Sequence, residues 1–166
     1  MSDSLDDLVH LLSQEADEYG KLLALMSDEE RALVQGRSAD VAELTKQKET
    51  LALELKVLEE ARQALIRRLA GPLGLPTGEV TLTRLIEAVP QNRAPALSDL
   101  RGRLTELMGR LMAANRRNGF LLERSLAHVR GALSLLSTLI TQSSTYEPSG
   151  RPAPAGSPLQ ILDQRI

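Results

Sequence analysis

Few side chains in this 166-residue sequence have reactive chemistry. There is no cysteine, so neither a thiolate nucleophile nor a disulfide is available. The two histidines, His10 and His128, are separated by most of the chain. Neither follows a glutamate at the Glu-x-x-His spacing that sets two metal ligands on one helix face. No Gly-rich phosphate loop follows a strand, because no segment reads as one. The pattern points away from an enzyme, and no cofactor and no metal are expected. The remaining polar groups of interest are ones that recognise. They are Asn115 and Asn118 in Asn-Arg-Arg-Asn, Lys48 within a row of leucines, and Glu15, Glu29 and Glu30 where such a row is interrupted.

Those residues need helices to position them. Hydrophobic residues make up 42% of the chain but aromatics only 2%, so leucine and alanine carry the apolar load. Both are strong helix formers that suit helices packed along their lengths. An all-α fold follows. Twenty basic residues against 22 acidic give a net charge of −2, which offers no basic field for nucleic acid. Arg67-Arg68 and Arg116-Arg117 read as solvated helix faces. The acidic start, Met-Ser-Asp-Ser-Leu-Asp-Asp, lacks an apolar signal-peptide core, and no apolar run approaches the roughly 20 residues that cross a bilayer. The expectation is a cytoplasmic protein with no membrane insertion.

Four helices are expected, at about 4–35, 38–70, 81–89 and 96–142, forming a helical bundle over 1–146 ahead of a flexible tail, 147–166. In the first, Leu5, Leu8, Leu12, Tyr19, Leu22, Met26 and Leu33 alternate steps of three and four, a seam for lengthwise packing. Ser4 is the expected cap, Asp6 and Asp7 favour the positive helix end, and Gly36 ends the helix. The second repeats the seam with Val41, Leu44, Leu51, Leu55, Leu58, Leu65 and Leu69. Lys48 falls on that seam, its amine predicted to reach a glutamate of the first helix. The Gly36-Arg37 link is short, so these two helices form an antiparallel hairpin. Gly71-Pro72 and Gly74-Leu-Pro76 should stop the second helix. A short connector helix, capped by Thr81 or Thr83, turns Leu82, Leu85, Ile86 and Val89 inward. The architecture is thus an elongated hairpin plus a long C-terminal helix, a three-helix coiled-coil-like bundle.

The last long helix has the seam Leu97, Leu100, Leu104, Leu107, Leu111, Asn118, Leu121 and onwards. At 1.5 Å per residue it measures roughly 69 Å against roughly 46 Å for the first, so about 20 Å should overhang the hairpin. From Gly131 to Tyr146 there is no charged residue. Ala132, Leu133, Leu135, Leu136, Leu139 and Ile140 span an arc of roughly 160°, wider than a coiled-coil seam, opposite small Ser and Thr residues. Either the neighbouring helices, the connector helix and the tail enclose this stretch, or it awaits an apolar partner helix. The second reading makes Leu133, Leu136, Leu139 and Ile140 the central contact, with Val129 and Leu135 at its edges.

Asn115 and Asn118 read first as structural, a buried amide on an apolar seam fixing helix register through a bond to a neighbouring helix at some cost in stability, with direct contact to a partner as the alternative. Leucine at 118 is then expected to keep or raise stability. The tail runs through a Pro-, Gly- and Ser-rich linker expected to be disordered, then ends in an apolar motif of Leu159, Ile161, Leu162 and Ile166. That motif is predicted to fold back on the charge-free end of the last helix.

Taken in order, Leu5, Leu8, Leu12, Glu15, Tyr19, Leu22, Glu30, Leu33 and Gly36 resemble the first helix of the FlgN-type flagellar export chaperones. Leu44, Lys48, Leu51, Leu55, Leu58, Glu59 and Arg62 are similar to its continuation, and Asn115-x-x-Asn118, Tyr146 and Gly150 extend the likeness, which spans about 5–166. The resemblance implies a non-catalytic mechanism. Such proteins bind hook–filament junction proteins of the FlgK and FlgL type in the cytoplasm, cover their disordered terminal segments and present them to flagellar export gate components. The residues alone leave two alternatives open: a self-associating coiled-coil scaffold, as a homodimer or larger, and a helical regulatory adaptor.

Overall fold

The computed structural model describes residues 2–76 and 80–143. Four helices follow one another, α1 Ser2–Val34, α2 Ser38–Ala70, α3 Leu82–Ala88 and α4 Ala94–Ser143, with no strand among the described residues. The chain divides into two units, Met1–Leu122 and Glu123–Ile166.

In the first unit, the turn after α1 is built on Gly36, whose φ of 67° is a conformation that glycine alone adopts without penalty. Arg37 N–H donates to the Ala32 carbonyl at 2.9 Å and Gly36 N–H to that of Leu33 at 3.2 Å, closing the last turn as a Schellman motif. The same pair of bonds recurs at Gly74, also at φ 67°, with Leu75 N–H on Ala70 and Gly74 N–H on Gly71. α2 ends at Ala70, directly before Gly71-Pro72, where the sequence places its stop. Gly71 stays helical, at φ −57° and ψ −57°, and the reversal comes at Gly74. Proline is accepted there because the closing bonds come from Leu73, Gly74 and Leu75 and need no donor at Pro72.

Cross-helix ion pairs fix the directions. Glu29 meets Lys48 and Glu15 meets Arg62, so α1 and α2 run antiparallel out from the turn. Asp6 meets Arg93, Asp17 meets Arg103 and Glu30 meets Arg117, at sequence separations of 86 or 87, so α4 runs parallel to α1. Ser4 is not the cap of α1. The helix begins upstream at Ser2, which places the Ser4 hydroxyl within the first turn, accepting from Arg68 at 3.3 Å. Thr81 does cap α3, accepting from the Arg84 N–H, while Thr83 accepts from Arg101 at 3.0 Å.

The main core lies where α3 closes the bundle. Leu5, Leu8 and Leu12 of α1, Ile66 and Leu69 of α2, Leu85 and Val89 of the connector, and Leu97 of α4 form one buried cluster. Each such side chain contributes about 1.5–3 kcal/mol by leaving water. A smaller cluster of Met26, Leu111 and Ala114 lies further along, with Tyr19, Leu22 and Leu23 packed on it. In the second unit α4 continues to Ser143, and every residue from Leu126 to Ile140 is exposed.

Candidate functional site

Two kinds of site grow from these helices. The first is polar and buried. Glu15, only 2% exposed, accepts from Arg62 Nε at 3.0 Å, with the other carboxylate oxygen at 2.9 Å. Burial pushes the Glu15 carboxyl above the usual carboxylate range, and Arg62 pulls it partly back. Burial and the nearby Glu59 and Glu15 charges also raise the Tyr19 hydroxyl. One step along, Glu29 joins three helices. Its carboxylate takes Lys48 Nζ from α2 at 2.6 Å and Asn118 Nδ2 from α4 at 2.8 Å. The same Asn118 amide donates to the Met26 carbonyl at 2.8 Å, while its Oδ1 is buried without a partner among the described residues.

These contacts explain the interruptions in the α1 seam. Glu15 and Glu29 lie on the buried face because α2 supplies a cation to each. Lys48 reaches a glutamate of α1, as its seam position predicts. Asn118 bonds a neighbouring helix, as a register residue on the seam should, but one of its acceptors is a buried carboxylate, so leucine there is expected to cost stability by leaving Glu29 Oε2 without this donor. Asn115 does not join this network. It is exposed, three residues before Asn118, and lines a groove beside α2.

The second kind of site is apolar and open. Val129, Leu133, Leu135, Leu136, Leu139 and Ile140 are all exposed, with Leu136 at 54% and Leu135 at 69%. At about 100° per residue, Val129, Leu133, Leu136 and Ile140 form one row, which Leu139 and Leu135 widen on one side. Leu126 stands at the start of the same row and is also exposed. An exposed apolar patch of this kind is a candidate for an interaction surface. The tail motif Leu159, Ile161, Leu162 and Ile166, like Tyr146 and Gly150, lies outside the described residues.

Sequence reasoning missed Met108 and Met112, exposed on α4 and lining the groove with Asn115. Each follows a buried seam leucine, Leu107 or Leu111, so attention to the seam hid a second row beside it. Among the described residues no cluster of His, Asp and Glu could hold a metal ion. No helix there is long and apolar enough to cross a membrane.

The described residues define an all-α helical protein with an exposed apolar face on its last helix. The family model described as FlgN protein matches residues 1–154, and the chain belongs to that family. It is accordingly a flagellar export chaperone of type III protein export, and flagellar export substrates are its partners. No curated protein and no solved structure matches it significantly.

Proposed function

We propose that this chaperone acts in the cytoplasm on hook–filament junction proteins of the FlgK and FlgL type, without catalysis, nucleic acid or membrane insertion. It covers their disordered terminal segments, prevents premature assembly and delivers them to the export gate. The observation that carries this reading is the run of exposed apolar side chains on the charge-free end of α4, with Leu133, Leu136, Leu139 and Ile140 as the central contact and Val129 and Leu135 at its edges. A client segment that folds as an amphipathic helix would bury its own apolar stripe there. Ordering that segment consumes part of the gain, which suits a complex that must release its cargo.

Calorimetric titration of the full chain with a purified junction protein tests the proposal. Saturable binding that disappears when the junction protein lacks its terminal segments supports it. Undiminished binding of the truncated client contradicts it. The same exposed face also supports a second reading, a self-associating homodimer or scaffold. Sedimentation of the free protein separates the two, since a scaffold forms stable oligomers without a client.

A further inference from the structure

The groove beside α2 has a composition that its place in the fold does not require. Tyr19, Leu22 and Met26 of α1 form its floor, Met108 and Met112 of α4 one wall, and Ala52 part of the α2 wall, around a volume of about 460 Å³. Buried methionines fill gaps in cores, but Met112 is 59% exposed. Exposed methionine is flexible and polarizable, and it adapts to the side chains of a partner.

The row to which the methionines belong is regular. Met108, Met112, Asn115, Gly119 and Leu122 follow steps of four, three, four and three along α4, and every one is exposed. The sequence keeps this alternation through Leu126, Val129, Leu133, Leu136 and Ile140. That is the spacing of a helix seam, set one position, or about 100°, beyond the seam that packs on α1. Small residues, Gly119 on α4 and Ala52 on α2, leave room for another backbone to approach.

We infer that this groove is a second docking site for the client, and that it receives an amphipathic helix whose apolar residues repeat every three and four positions. The charges at its edges define the guest further. Among the described residues, Glu49 on the α2 wall and Arg116 beside the α4 row form no ion pair, unlike Glu29, Lys48, Glu30 and Arg117 nearby. The guest helix therefore carries a basic residue on its α2 side and an acidic residue on its α4 side. The inference rests on the chaperone reading above and extends it from one contact to two.

Photocrosslinking in the full chain, mixed with a purified FlgK-type junction protein, tests it. A benzophenone side chain is placed at position 112, at 136, or at the outward-facing Leu53 as a control. Adducts with the client from 112 and 136, and none from 53, are expected. An adduct from 136 alone overturns the groove and leaves the proposed function standing. An adduct from 112 to a second copy, or to residues 159–166 of the same chain, in the presence of client assigns the groove another occupant and overturns the inference. No adduct at any position, together with no binding in titration, removes the chaperone reading and this inference with it. Independently, Met108→Glu with Met112→Glu should weaken client binding about tenfold while the melt is preserved. Ala52→Lys, on the opposite wall, should weaken it in the same direction. Wild-type affinity in both variants contradicts the site.

Discussion

The two parts of α4 differ in what surrounds their leucines. Between Ala94 and Leu122, Leu97, Leu107 and Leu111 are buried, and Arg103, Arg117 and Asn118 reach across to α1. Between Glu123 and Ile140, Leu126, Leu133, Leu136 and Leu139 are about half exposed or more. Composition separates them too, since no charge follows Arg130 in the helix. A helix back that faces only water ordinarily carries lysine, glutamate or arginine. Where such residues bond to a neighbouring helix they hold α4 against α1; where they are missing, the proposed reading keeps the apolar surface for a partner. Apolar content alone does not separate the buried part of α4 from the exposed part, and the pattern of charges around it does.

The largest expected difference is in stability. Leu8→Ala or Leu97→Ala should cost about 2–5 kcal/mol, because each empties a fully buried site. Leu136→Ala should change stability by no more than about 0.5 kcal/mol, as a surface substitution. Urea denaturation of the three variants checks this, and equal losses would erase the distinction. Asn118→Leu should destabilise by about 1–3 kcal/mol, because Glu29 loses a donor in a buried place. A melt at or above that of the wild type would mean that the amide contributes register alone.

The tail bears on the second part of the comparison. If Leu159, Ile161, Leu162 and Ile166 compete for the exposed row, deleting residues 147–166 should tighten client binding several-fold by removing a tethered competitor. Weaker binding after the deletion would make the tail part of the client site. The smallest effect concerns pH. Glu15 is more readily protonated folded than unfolded, so its contribution grows as pH falls from neutrality towards the ordinary carboxylate range and is lost as pH rises through its raised folded value. Melting scans of wild type and Glu15→Gln across that range should show the wild type gaining relative to the variant in acid. A constant gap would contradict the shift.

Much of this was legible in the sequence, for physical reasons that can be named. The leucine spacing of α1 reported its buried face, and Gly36 reported its end, because periodicity and a left-handed glycine are local signals. The charge-free stretch after Arg130 is local as well. Spacing predicts that Lys48 reaches a glutamate of α1, but it does not say which glutamate, nor that Glu15 has a cation of its own. Glu15 and Glu29 read as breaks in the seam because their cations, Arg62 and Lys48, lie on α2. Asn118 read as a register device bonded to a neighbouring helix, which it is, but that its acceptor there includes a buried carboxylate was not legible. Ser4 misled because a capping residue and a first-turn serine look alike until the helix start is known. The methionine row escaped because a stronger row of leucines runs beside it.

The central claim is that the exposed leucines of α4 bind a client and do not hold the fold. Leu136→Asp combined with Leu139→Asp tests it most directly, with titration of a junction-protein terminal peptide set beside thermal denaturation of the free variant. Each leucine contributes about 1.5–3 kcal/mol when buried by a partner, so the double variant should lose most of its affinity. Its melt should match the wild type, because the clusters around Leu8 and Met26 lie on other residues. Binding that survives would place the client elsewhere, and a melt that collapses together with binding would make 131–142 part of the core.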